Sequence, residues 1–257
     1  MTLHTDSAPA QRPKIHALVP CGGGGSRAGG DLPKQYRRIA GQPMVAHTLA
    51  ALAAVPSIVQ TLVVIAPRDE LFAQQVQLPS AHFSVASCAG NTRAETVLNG
   101  IKALLEKGTK GQDWVLVHDA ARCLTLPVQI EALIAACVNP RAGEGAHVAP
   151  SQPVGALLAL PLADTLKQAQ DNRVLQTLER QDKWLAQTPQ MFRLQSLHDA
   201  LAQALVDDPQ AITDEASAME RAGHQPLLVR GSSHNFKITY PEDFALAQAV
   251  LKARSAT

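Results

Sequence analysis

The stretch "IHALVPCGGGGSRAGGDLPKQY" (Ile15–Tyr36) joins a short apolar run to four consecutive glycines and then to two cations, Arg27 and Lys34. The run "IHALVP" reads as a buried strand closed by turn chemistry. Three functional readings compete for the loop behind it. A Walker phosphate loop needs G-x-x-x-x-G-K-[ST], and no such string occurs. The dinucleotide pattern G-x-G-x-x-A is met formally by Gly23, Gly25 and Ala28. That motif should open a helix directly and be followed by an acidic residue about 20 positions on. Here "GGDLPKQY" breaks any helix, and no acidic residue lies between Asp31 and Asp69. The third reading is an anion nest, in which bare backbone N–H groups approach phosphate oxygens while Arg27 supplies a forked donor set and Lys34 a point charge. Taken alone, the loop also reads as a mobile surface turn with solvated cations.

Working outward, "PMVAHTLAALAAV" has helical apolar spacing with Pro43 near N1. "IVQTLVVIAP" is a β-branched strand closed by Pro67, and "FSVASCAG" is a further strand. "TRAETVLNGIKALLEKG" predicts a helix ended by Gly108. "DWVLVHDAAR" repeats the strand-then-polar-turn pattern, and "PVQIEALIAACVN" supplies its helix. This alternation predicts an α/β fold: a Rossmann-like, doubly wound, mostly parallel twisted sheet with helices on both faces. Ligands of such sheets sit beyond the carboxyl ends of the strands, so "PCGGGGSR" and "HDAARC" should share one crevice.

The second half is less regular. Prolines at 150, 153, 161 and 189 punctuate strand-like patches, which predicts a protruding β-arm within about 150–185. "SLHDALAQALVDD" and "TDEASAMERAG" read as helices, with Thr213 a good N-cap. "QPLLVRGSSHNFKITYP" predicts two strands around Gly231, and a closing helix starts near Pro241. Residues 1–14 read as a frayed, disordered polar tail and 15–257 as one domain.

Bulk composition narrows the function classes. Lys+Arg 23 against Asp+Glu 22 leaves a net charge of +1, which argues against a nucleic-acid or membrane-surface role. No run reaches the roughly 20 apolar residues that span a bilayer, and the N-terminus has no signal-peptide core. Cys21, Cys88, Cys123 and Cys137 show no CxxC spacing. A reduced, cytoplasmic protein is expected.

Read together, "LVPCGGGGSRAGGDLPKQY", "AGNTRAETVLNGI", "WVLVHDAAR", "ADTLK", "LERQDKWLAQTPQMF", "ITDEASAMERAG" and "NFKITYPEDFALA" occur in this order. The series closely resembles the 2-C-methyl-D-erythritol 4-phosphate cytidylyltransferase family, often called IspD, from about Ile15 to Leu251. The resemblance implies a single nucleotidyltransferase domain that moves CMP from CTP to the sugar-alcohol phosphate and releases pyrophosphate. It implies Mg²⁺ or another divalent cation, held mainly by the triphosphate near Asp119, with no protein metal ligands assigned. It also implies a homodimer with sites shared through the arm.

Residue by residue, the resemblance puts Arg27, Lys34, Lys237 and Asp119 in the chemistry. Nucleotide contacts fall on Pro20, Cys21, Gly22, Gly23, Gly24 and Gly25, with Gly90, Asn91, Arg93, Thr96 and Ala120. Arg122, Thr165, Arg180, Thr188 and Thr213 fall on the substrate side. His118 reads as a core histidine or a catalytic one and is assigned no chemistry. The same loop and cations also suit a pentitol phosphate acceptor such as ribitol 5-phosphate, or a catalytically weakened nucleotide-binding protein.

Departures from the family pattern sit at the loop. Cys21 and Gly22 stand where alanines are usual, and Cys123 replaces a proline. Extra glycine raises the entropy lost on ordering the loop, so Gly22→Ala is expected to tighten CTP binding. Lys34→Ala is expected to lose most of kcat and leave thermal melting nearly unchanged.

Overall fold

In a computed structural model the chain is described over residues 13–24, 28–29, 32–139 and 153–255. The predicted tail up to residue 12, Gly25, Arg27 and the segment 140–152 lie outside the described residues.

The first half alternates as its sequence demands. β1 (Ile15–Pro20) leads through the glycine loop to the short β2 (Arg38–Ile39) and β3 (Gln42–Pro43), then α1 (Met44–Ala53), β4 (Ile58–Val64), α2 (Leu71–Gln75) and β5 (Phe83–Ala86). α3 (Arg93–Glu106), β6 (Trp114–Val117) and α4 (Pro127–Val138) follow. β7 (Gly155–Pro161), β8 (Leu166–Gln170), β9 (Arg173–Leu178) and β10 (Trp184–Arg193) come next, then α5 (Leu194–Asp207), α6 (Glu215–Arg221), β11 (Leu227–Arg230) and α7 (Pro241–Ser255).

Seven strands form the central sheet in the order β11-β7-β10-β6-β1-β4-β5. β1 pairs in parallel with both β4 and β6, while β10 runs antiparallel to β6 and β7. Side chains alternate across this buried sheet. Ala17 and Val19 pack with Leu49, Leu52 and Leu133 on one face, and Leu18, Leu62 and Val64 pack with Val97, Ile101 and Leu197 on the other. A third cluster seats α7 on Met44, Leu124 and Ile238.

The sheet takes more of the second half than the proline spacing predicts. β7 lies in its interior, and only β8 and β9 form a separate, solvent-facing ribbon. Asp171 and Asn172 turn that ribbon with φ of 49° and 60°, the two-residue geometry that matches strand twist.

The two strands expected around Gly231 are corrected to one. Only β11 forms; "NFKITYP" packs sideways against the turn after β6. Asn235 is fully buried there, with its amide donating to the Thr188 carbonyl at 2.9 Å, and the Ile238 N–H donates to the Ala121 carbonyl at 2.9 Å. Its hydrogen bonds go to a turn, so no sheet edge is left to pair.

Candidate active site

Beyond the carboxyl ends of β1 and β6 lies a cavity of about 370 Å³. The glycine loop enters it from β1, tied down by Cys21 N–H donating to the Val64 carbonyl at 2.7 Å. Gln35, buried in the "PKQY" turn, donates its amide to the carbonyls of Cys21 (3.1 Å) and Gly23 (3.0 Å). Tyr36 anchors that turn in the core and donates its hydroxyl to Asp69. Lys34 thereby stands at the cavity wall, its ammonium donating to the Ile238 carbonyl at 2.8 Å.

Within the loop, Gly23 and Gly24 have open space where a Cβ would point. Gly22 does not: a methyl group there would stand 2.2 Å from the Ala89 Cβ. The expectation that Gly22→Ala tightens CTP binding is therefore corrected, because the added methyl collides before any entropy is gained.

The opposite wall is the N-terminus of α3. Thr92 caps it by accepting from the Glu95 N–H at 3.1 Å. Thr96 is buried, and its hydroxyl accepts from Gly90 N–H and donates to the Thr92 carbonyl. Gly90 leaves no room for a Cβ, which would fall 2.4 Å from that of Glu95. Gly90, Asn91 and Thr96 line the cavity together with Pro20, Cys21 and Ala120. The start of a helix and a bare glycine loop border one space, a setting for anionic phosphate.

Asp119 follows β6 and is the one carboxylate of the cavity wall among the described residues. Its Oδ2 lies 2.7 Å from Lys237 Nζ and 4.0 Å from Arg122 Nε, and its Oδ1 lies 2.7 Å from Arg93 Nε. Burial by itself pushes the Asp119 carboxyl up, but Arg93, Lys237 and Arg122 outweigh it and hold the group well below the usual carboxylate range. Arg93 turns its fork the other way, to Glu215 at 2.6 and 3.0 Å. Arg93 thus lines the cavity as expected, yet the partners of its nitrogens are two carboxylates.

His118 sits fully buried behind Asp119. Its Nδ1 lies 2.9 Å from the Thr188 hydroxyl, which also accepts from the Asp119 N–H at 3.0 Å. Burial pushes the His118 pKa down to about 3 against the pull of Asp119, so the ring is neutral at pH 7. His118 and Thr188 hold the Asp119 backbone; neither lines the cavity.

The remaining substrate-side residues stand apart in one chain. Arg122 is packed behind Asp119 and donates to the Asn235 carbonyl at 2.6 Å. Thr165 and Arg180 are exposed at the base of the ribbon, where Arg180 donates to the Ala163 carbonyl. Thr213 is exposed, and the N-cap expected of it belongs to Asp214, whose Oδ1 accepts from Ser217 N–H at 2.9 Å. The four cysteines are free thiols.

The model of the family "IspD: 2-C-methyl-D-erythritol 4-phosphate cytidylyltransferase" matches residues 15–253. The chain belongs to this family. An IspD relative, the bifunctional IspD/IspF enzyme of Albidiferax ferrireducens, is 58% identical over 95% of the chain, which spans only 54% of that longer protein. The 2-C-methyl-D-erythritol 4-phosphate cytidylyltransferase of Burkholderia vietnamiensis is 47% identical over 94% of the chain and 97% of its own length. Among solved structures, a 4-diphosphocytidyl-2C-methyl-D-erythritol synthase superposes with a TM-score of 0.77 at 36% identity, covering 94% of this chain and 100% of that one. The IspD of Francisella tularensis gives 0.75 at 30% identity, covering 92% and 99%.

Sequence reasoning on this IspD chain missed Gln35, Thr92, Glu215 and Asn235. Gln35 and Asn235 lie inside the motifs "LPKQY" and "NFKITYP", where a polar side chain close to a lysine was the available signal. Glu215 looked like an ordinary first-turn carboxylate. Only its burial separates it from one.

Proposed function

We propose that this crevice binds CTP and transfers CMP to 2-C-methyl-D-erythritol 4-phosphate, giving 4-diphosphocytidyl-2-C-methylerythritol and pyrophosphate in the non-mevalonate isoprenoid route. The observation that carries the reading is the convergence of the glycine loop, Lys34, Asp119 and Lys237 on one cavity. An acceptor phosphate oxygen forms a bond to the α-phosphorus while the bond to the β-phosphate oxygen breaks, and pyrophosphate leaves with that electron pair. Two anions must be brought together, so the protein's work is positioning and charge stabilisation.

In this scheme Lys34 holds the triphosphate with Arg27, and the loop and α3 amides cradle its oxygens. Lys237, fixed by Asp119, faces the acceptor phosphate and the α-phosphoryl. Among the described residues no group of three His, Cys, Asp or Glu side chains could hold a metal. Asp119, the one carboxylate of the cavity wall among the described residues, would be the side chain available to a Mg²⁺ held mainly by the triphosphate, in exchange for one of its present cation partners. When bound, that ion neutralises phosphate charge. The arm completes a homodimer: Val174, Leu175 and Leu185 lie exposed on and beside the ribbon, and Thr165 and Arg180 reach an acceptor site only across such an interface. The free thiols fit the reducing cytoplasm.

The test is pyrophosphate release over CTP, UTP, ATP and GTP against methylerythritol phosphate and ribitol 5-phosphate. Release with CTP and methylerythritol phosphate is expected. Release with ribitol 5-phosphate alone, or with no pair, would overturn the reading.

A further inference from the structure

Glu215 has no exposed surface, and both its oxygens face Arg93, at 2.6 Å from Nη1 and 3.0 Å from Nη2. It is the first residue of α6, and that helix start is fixed to β10 through Gln190. The Gln190 Oε1 accepts from Ala216 N–H at 2.8 Å, and its amide donates to Asp214 Oδ2 at 2.8 Å. Arg93 is the first residue of α3, at the cavity wall, and its remaining nitrogen lies 2.7 Å from Asp119. A guanidinium fork that takes a carboxylate bidentately takes a phosphate in the same way. At the mouth of an anion site, such a fork left open would bind phosphate oxygens.

We infer that Glu215 is a positioning residue: by filling the fork of Arg93 it keeps that arginine on Asp119 and off the phosphates. The inference rests on the CMP-transfer reading. The cluster of Arg93, Arg122 and Lys237 faces two carboxylates, Asp119 and Glu215. Removing the Glu215 charge raises the net positive charge by one and loosens the hold on the Arg93 fork, which can then swing toward the cavity that Arg93 lines. Glu215 therefore serves two ends. It steadies Asp119 under Lys237, and it lets the product depart from a site that would otherwise hold it.

The probe is pyrophosphate with Mg²⁺, titrated calorimetrically into the full chain. Glu215→Gln, close in size, is expected to bind pyrophosphate about tenfold more tightly and to lose about tenfold in kcat, the scale of one charge-assisted hydrogen bond. Arg93→Gln leaves Glu215 free to take a proton, and is expected to keep pyrophosphate and CTP affinities within about twofold while kcat falls. In Arg93→Gln/Glu215→Gln, pyrophosphate affinity should return to that of the parent chain. A merely structural Glu215 would not tighten pyrophosphate. Unchanged or weaker pyrophosphate binding in Glu215→Gln overturns the inference. So does a tenfold loss of CTP or pyrophosphate affinity in Arg93→Gln, which decides the matter even if Glu215→Gln does not fold. Turnover of the parent chain tests the CMP-transfer reading separately, since these affinities are read without it.

Discussion

Gly22 and Ala89 share one space: a methyl group on Gly22 would stand 2.2 Å from the Ala89 Cβ and 3.4 Å from the Ala66 nitrogen. The glycine loop and the loop before α3 are packed against each other, and their approach sets the width of the cavity between them.

Gly22→Ala should therefore destabilise the fold by about 1–3 kcal/mol, the range for overpacking a filled site, and weaken CTP binding. Gly22→Ala/Ala89→Gly moves the methyl from one side to the other and should recover most of both losses. Urea unfolding and a CTP titration on the three variants check this. Recovery of neither quantity in the double variant would show that the loop resists the methyl for another reason.

Lys34→Ala should lower kcat by about 10²–10³, the scale of one preorganised charge contact in the transition state. The sequence by itself predicts nearly unchanged melting. The hydrogen bond from Lys34 to the Ile238 carbonyl adds a small loss, about 1 kcal/mol, or a few degrees in Tm for a chain of this length. A fall of more than about 10 °C, against that scale, would mark Lys34 as chiefly structural.

The buried His118 makes stability depend on pH. Its folded pKa of about 3 lies below the unfolded value of about 6.5, so the unfolded chain binds the extra proton in between. Its contribution is fully present above about pH 6.5 and is lost as pH falls toward 3, by at most about 1.4 kcal/mol per unit. His118→Asn keeps a polar atom near Nδ1 and should flatten that slope. His16, also buried and lowered, leaves a residual dependence. Urea unfolding at pH 7, 6 and 5 measures both slopes; equal slopes would contradict the assignment.

Cys21, Cys123 and Cys137 are buried thiols whose pKa values burial pushes up to about 12. At pH 8 a thiol-reactive disulfide reagent should label at most the half-buried Cys88 within minutes, and all four after denaturation. Rapid native labelling of Cys21 or Cys123 would contradict their burial as inert thiols.

The alternating half of the fold was legible because β1, β4 and β6 are apolar runs long enough to be buried, each followed by glycine or polar turn chemistry. The site's lysines and Asp119 were legible for a related reason. A charged residue at the end of a buried strand is costly without a role, and the motif order drew attention to it, while its partners Arg93 and Lys237 came only from the fold. The ribbon's limits, the irregular course of "NFKITYP" and the Thr213–Asp214 exchange at the α6 cap were not legible. Each depends on which surface the segment meets, and local propensity does not encode that.

The amino-acid sequence by itself determined the family and the sheet's alternation, and it marked Lys34, Asp119 and Lys237, which line one cavity, since these follow from short-range pattern and chemical type. Tertiary structure alone decided what those residues do to one another. It turned Arg93 toward Glu215, held Asp119 between three cations and set Gly22 against Ala89. The physical reason is that burial and distance fix the strength of a charge contact or a steric one, and both arise between segments far apart in the chain. Arg93 and Glu215, 122 positions apart, meet only when α3 and α6 are folded onto the same sheet.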